Sequence, residues 1–190
     1  MEMQKDFVWK MRGILTGWLI QVHSRFHLLP ETLLPCVNII DRFLSVRVIS
    51  LIKLQLVGIT CMFIAAKVEE IISPSARNFL YCADSSYSET EILQAERYVL
   101  KTLDWNLSYP NPIHFLRRIS KADQYDVQTR TIAKYLVEAQ CLEWRWISAS
   151  PSLLSAALVW LARLILDSEN WVRLHPSYVA LSSIILSSRL

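Results

Sequence analysis

Four charged residues stand where their neighbours are apolar: Arg12, Asp41, Lys67 and Glu96. A charge on a greasy helical face needs an opposite partner or a polar surface to meet, because burying it alone is costly. Arg12 and Asp41 fall one in each of two adjacent apolar segments, so a buried ion pair between them is the economical solution. Lys67 ends the apolar run Leu54–Val68, and Glu96 lies in the middle of a later helical segment. They could be offered to a partner, or they could simply join their two helices as an internal Lys–Glu pair.

Catalytic chemistry finds little support. His23, His27, His114 and His175 form no H-E-x-x-H. His23 and His27 share a helix face at i, i+4, but no cysteine or acid at ligand spacing joins them, so solvated or capping roles are expected and no metal. No G-x-S-x-G elbow occurs. Glu69, Glu70, Glu89 and Glu91 read as solvated acids. The 3 glycines, Gly13, Gly17 and Gly58, all lie inside helical patterns, which excludes a phosphate-cradling loop. The residues point to a binding protein that needs no cofactor, not to an enzyme.

Composition agrees. Of 190 residues 53% are hydrophobic and only 19% charged, enough for a large core with apolar surface left for a partner. A net charge of +3, from 20 basic and 17 acidic residues, is too small and too scattered to point to nucleic acid. Cys36, Cys61, Cys82 and Cys141 form no C-x-x-C, and the polar start Met1-Glu-Met-Gln-Lys-Asp6 is no signal peptide. Reduced, buried thiols in an intracellular protein are expected.

The elements that must position these residues are helices. Few glycines and no sustained β-branched alternation indicate an all-α chain. Leu54–Glu70 is apolar all round, the mark of a helix that others surround. It would run ~25 Å. Gln55, Thr60 and Lys67 break it into uncharged stretches shorter than the ~20 residues of a membrane span.

Before it, Phe7–Phe26 reads as a helix with Met11, Leu15, Trp18 and Val22 on one face. Pro30 and Glu31 start a second, which runs to about Ser45. Ser73-Pro74-Ser75 opens a short helix through Tyr81. Ser88-x-x-Glu91 is a capping box for a fifth helix to about Leu103. Pro110 and Pro112 mark a boundary. After it come helices at Ile113–Ser120, Val127 to about Glu143, and Pro151–Leu166. Leu153–Ala162 reads as a second buried spine, so the order of the first half is echoed. Two domains are expected, residues 1–107 and 108–190.

These motifs together resemble a known family. Met11-Arg-Gly-Ile-Leu15 with Trp18 is similar to the opening helix of the cyclin box, Asn38-Ile-Ile-Asp-Arg-Phe-Leu44 to its second helix, and Ala66-Lys-Val-Glu-Glu70 to the end of its third. The family's Arg, Asp, Leu, Lys and Glu hallmark maps onto Arg12, Asp41, Leu56, Lys67 and Glu96. Pro112–Asp123 resembles the start of the second box of B-type, mitotic cyclins, and Leu103–Pro110 has a fungal phrasing. Val172–Leu190 matches poorly, so the second box is expected to lack its final helix. Residues 1–190 read as boxes alone, so an N-terminal arm with a destruction box is not expected among them.

The resemblance implies an all-α fold of two cyclin boxes and a non-enzymatic regulator that binds and activates a cyclin-dependent kinase. A nuclear and cytoplasmic protein without membrane or nucleic-acid partners is expected. Lys67, Glu96, Leu100, Trp105 and Leu107 would meet the kinase, while Arg12, Asp41 and Leu56 would be structural. Met11, Ile14, Leu15, Trp18 and Gln55 would form a shallow groove for R-x-L peptides of substrates or inhibitors, unless Met11, Leu15 and Trp18 are plain core. Gln21 stands where other cyclins often carry an acid. The alternative is a cyclin-fold DNA-binding adaptor, similar to general transcription factor IIB, which would need a basic face.

Overall fold

In the computed structural model, residues 9–83, 86–122, 124 and 126–167 are described, and among them every regular element is helical. The chain divides into two compact units, Met1–Tyr109 and Pro110–Leu190. The first holds α1 (Trp9–Arg25), α2 (Pro30–Val46), α3 (Leu51–Glu69), α4 (Ala76–Cys82) and α5 (Glu89–Thr102). The second holds α6 (Pro112–Ala122), α7 (Val127–Gln140), a single 3-10 turn at Trp144–Trp146, and α8 (Pro151–Asp167).

Helix ends follow local chemistry. The Ser88 hydroxyl accepts from the Glu91 N–H, and the Glu91 carboxylate accepts from the Ser88 N–H at 2.8 Å, completing the expected capping box of α5. Ser75 caps α4 and Asp126 caps α7 more simply, each side chain accepting a backbone N–H of the first turn. Two helices end on a left-handed residue that is not glycine. After α1, His27 takes φ 51° while the Leu28 N–H reaches back to the His23 carbonyl. After α5, Asp104 takes φ 50° while the Trp105 N–H reaches the Leu100 carbonyl. Both are Schellman endings, with a residue other than glycine in the left-handed position. His27 is thus a turn residue, and His23 is buried with Nε2 donating to the Leu29 carbonyl at 2.8 Å.

α3 is the axis of the first unit and packs against α1, α2, α4 and α5. Every residue from Leu56 to Ala66 is buried. The expectation that its polar residues disqualify it as a membrane span needs correcting. By length and hydropathy α3 does qualify, and what marks it as a core helix is the two-thirds (67%) of its apolar window that its neighbours cover. The close approach to α1 falls at Gly58, where a Cβ would lie 2.8 Å from Leu15 Cδ1.

In the second unit α6, α7 and α8 pack pairwise. Ile113, Leu116, Ala133, Val137, Leu158 and Ala162 form their core. The buried Ser155 hydroxyl lies 2.8 Å from the Pro112 carbonyl of α6 and 2.7 Å from the Pro151 carbonyl. α8 departs from the second buried spine that its sequence suggests. Leu158, Val159, Ala162 and Ile165 face the core, while Leu153, Trp160 and Leu164 are exposed. Its apolarity exceeds what its neighbours among the described residues bury.

Candidate partner-binding surface

The four charged residues resolve into two pairs of different kinds. Arg12 on α1 meets Asp41 on α2 through two parallel bonds, Nε to Oδ1 at 2.7 Å and Nη2 to Oδ2 at 2.8 Å. Their side chains are 3% and 13% exposed, so this fork-on-carboxylate pair is sealed inside the first unit. Burial pushes the neighbouring Cys61 thiol far up, and the negative charge of Asp41 adds to that. Leu56 is buried too.

Lys67 and Glu96 also meet, with Nζ donating to Oε1 at 2.7 Å, but at the surface. The lysine side chain is 44% exposed and the glutamate 12%. The internal pair foreseen as one reading therefore exists in the unbound chain. It leaves the cation displayed.

The end of α3 is fixed by Glu70, which had read as a solvated acid. Its Oε1 accepts from the Leu29 N–H at 2.8 Å and from the Thr32 hydroxyl. α2 has no side chain of its own capping its N-terminus. Glu70 supplies that cap from another helix and sits where the helix dipole favours an anion. A contact spanning 41 residues is invisible to any local capping rule.

Beside Lys67 the chain leaves the core with its apolar side chains still outward. Val68, Ile71 and Ile72 are all exposed, Ile71 at 99%. Sequence reasoning passed over these three. The available signal was two isoleucines directly after a helix end that carries charge. Of the other residues expected on this surface, Leu100 is buried, Leu107 half-buried and Trp105 69% exposed. Trp105 has φ 59°, directly after Asp104. Left-handed backbone costs a non-glycine residue ~1–2 kcal/mol, and a bulky aromatic there is a true outlier. The turn therefore holds an indole in water at the expense of backbone strain.

The second expected surface lies between α1 and α3. Gln55 and Gly58 are three residues apart on α3, and Gly58 faces Leu15. Ile14 and Gln21 are exposed, while Met11, Trp18 and Gln55 are half-buried. Leu15 is buried, in line with the reading of it as plain core. No group of histidine, cysteine or acid residues among the described residues could hold a metal.

Comparison with known proteins bears on this arrangement. Residues 1–108 match the family described as "Cyclin, N-terminal domain", and residues 110–188 match "Cyclin, C-terminal domain". The chain belongs to the cyclin family. The cyclin is 62% identical over 173 residues to the G2/mitotic-specific cyclin cdc13 of Schizosaccharomyces pombe, covering 91% of this chain and 36% of that protein. Against the G2/mitotic-specific cyclin-B of Emericella nidulans the identity is 59% over 168 residues, covering 88% and 35%. The chain thus spans about a third of the length of these relatives.

Among solved structures, a viral cyclin from herpesvirus saimiri superposes with a TM-score of 0.81 at 17% identity, over 99% of this chain and 88% of that one. A chain of the Chaetomium thermophilum CAK complex bound to ATP-gamma-S gives 0.63 at 18%, over 95% and 61%. These likenesses establish the fold. The all-α cyclin fold and the resemblance to fungal mitotic cyclins hold as expected. The stretch Val172–Leu190 lies outside the described residues, although the C-terminal family match runs to residue 188. Of the R-x-x-L stretches in this cyclin, Arg12–Leu15 and Arg77–Leu80 lie within the helices α1 and α4.

Proposed function

We propose that this cyclin is the regulatory, non-catalytic subunit of a cyclin-dependent kinase and acts at the onset of mitosis. It binds beside the kinase C helix and repositions it, so that the helix glutamate pairs with the strand lysine that holds the ATP phosphates. One observation carries this reading: the core helix α3 surfaces only near its ends, and its C-terminal end presents Lys67, paired to Glu96 and flanked by Val68, Ile71 and Ile72. An ion pair rimmed by exposed apolar side chains suits a protein partner better than water. The strained, exposed Trp105 extends the same chemistry. The similarity to G2/mitotic-specific cyclins supports the mitotic assignment.

The test is capture of a purified fungal cyclin-dependent kinase by the chain, with phosphorylation of a short peptide as readout. Replacing Lys67 and Glu96 together by alanine should abolish capture and stimulation. Stability should stay within ~1 kcal/mol, the range of surface changes, because neither partner is left unpaired. An unfolded double variant would make the pair a structural staple. A parent chain that captures no kinase but is retained on DNA would favour the adaptor reading.

A second site for R-x-L peptides between α1 and α3 is supported by half-buried Met11 and Trp18 on α1 and half-buried Gln55 on α3, three residues before the Gly58 that meets Leu15. Trp18→Ala should spare activity on the short peptide and weaken it on substrates bearing the motif, since loss of an aromatic anchor typically costs ~2 kcal/mol. Equal loss on both substrates would place α1 in the kinase interface.

A further inference from the structure

A lysine at the end of a helix ordinarily sweeps a wide volume, and ordering it on binding loses much of its rotamer entropy. Lys67 is restrained on two sides before any partner arrives. Glu96 holds Nζ from α5 at 2.7 Å, and the Phe63 ring lies beneath it with 4.1 Å from Nζ to the ring centroid. Phe63 and Lys67 are four residues apart on α3 and so share a face. The Phe63 ring is itself held. Phe79 of α4 meets it edge-on at 5.8 Å, and Phe26, just beyond α1, packs on Phe79 at 4.9 Å. Phe63 and Phe79 are both buried. Three rings drawn from three parts of the first unit thus end in one ring face under the ammonium. An aromatic face attracts a cation through its quadrupole, most strongly where water is thin.

We propose that Phe63 is a positioning residue for kinase recognition: its ring face seats the Lys67 ammonium against Glu96, so that the remaining N–H groups are already aimed outward when the kinase backbone arrives. The inference rests on the reading of Lys67 as a kinase contact. Phe63 touches nothing of the partner and acts through Lys67 alone. Glu96 fixes the lysine laterally and Phe63 fixes it from below, which neither could do singly for a side chain with four rotatable bonds.

The test replaces Phe63 in the full chain with phenylalanine analogues carrying one, two and three ring fluorines. These keep the ring's shape while draining the negative charge from its face. Affinity for a purified fungal cyclin-dependent kinase is measured for each, in the parent and in a Lys67→Met background, with thermal melts alongside. Affinity should fall stepwise with fluorination, by about two- to fivefold at three fluorines, with little change in melting. In the Lys67→Met background the series should be flat. A flat series in the parent, while Lys67→Met itself weakens binding, overturns the role of Phe63 and leaves the kinase reading intact. A series that falls equally in both backgrounds makes Phe63 ordinary core. If Lys67→Met binds as tightly as the parent, the kinase contact fails and this inference fails with it.

Discussion

α3 and α8 are the two most apolar helices among the described residues and read almost alike as sequence, yet the protein uses them differently. α3 has four helices around it and is buried on every side through its middle. α8 packs on α6 and α7, buries one face, and keeps Leu153 at 67% and Trp160 at 65% exposure on the other. Leu153, Trp160 and Leu164 fall at i, i+7, i+11, a coherent apolar stripe. Apolar composition tells how much surface a helix can bury, whereas its neighbours decide how much it does. Because α3 is enclosed along its middle, its C-terminal turn becomes a fixed point to which Lys67, Val68 and the isoleucines beyond are attached. Among the described residues α8 has no comparable enclosure, and one polar tie to α6 is the internal Ser155 hydroxyl.

The comparison can be broken most forcefully at the cage around α3. Asp41→Ala leaves the Arg12 guanidinium buried without its carboxylate and should destabilise the first unit by ~3–5 kcal/mol in a denaturant titration. A variant as stable as the parent would mean the pair is not structural.

Truncation of matched apolar residues comes next. Ile59→Ala on α3 removes a side chain with no exposure and should cost ~2–5 kcal/mol. Trp160→Ala on α8 should stay within ~0.5 kcal/mol, as surface changes do. Equal losses would show α8 to be enclosed as fully as α3.

Ser155→Ala should cost ~1 kcal/mol, the usual worth of a hydrogen bond, because the Pro112 carbonyl loses a donor. If the loss is nil, packing alone joins α6 to α8.

The smallest effect should be shared by both units. The Ser88 backbone N–H and then its hydroxyl hold the Glu91 carboxyl below the usual range, and the Thr129 hydroxyl and then the Gln128 N–H do the same for Asp126. A carboxylate whose folded value is depressed adds stability above the unfolded value, and that contribution is lost as pH falls through the folded one. Acid titration followed by amide NMR should therefore release the caps of α5 and α7 below the ordinary carboxylate range, with both intact at neutral pH. A cap that opens only at neutral pH or above would reverse the sign.

Much of this was legible beforehand because its causes are local. The capping box at Ser88, the helix start at Pro30 and the break at Pro110–Pro112 each depend on a few consecutive residues, and α5 and α6 begin where those residues place them. Helical class followed from periodicity. The meeting of Arg12 with Asp41 followed from a charge balance: two opposite charges on greasy adjacent helices have few other ways to be satisfied. The match of the cyclin motif to Arg12, Asp41, Leu56, Lys67 and Glu96 named the residues worth inspecting.

What only the tertiary structure decided are contacts between residues far apart in the chain, or a helix's number of neighbours. Glu70 reads as a surface acid until α2 begins beside it, 41 residues away in sequence. Leu15 reads as a groove residue until Gly58 lets α1 sink onto α3. α8 reads as a spine because composition reports burial capacity and not burial. Phe63 reads as core filler until the ammonium four residues on settles over its face. Local sequence sets backbone periodicity and caps within a turn or two. Which face meets which is settled by packing the whole unit, where each side chain's environment is made by helices it does not belong to.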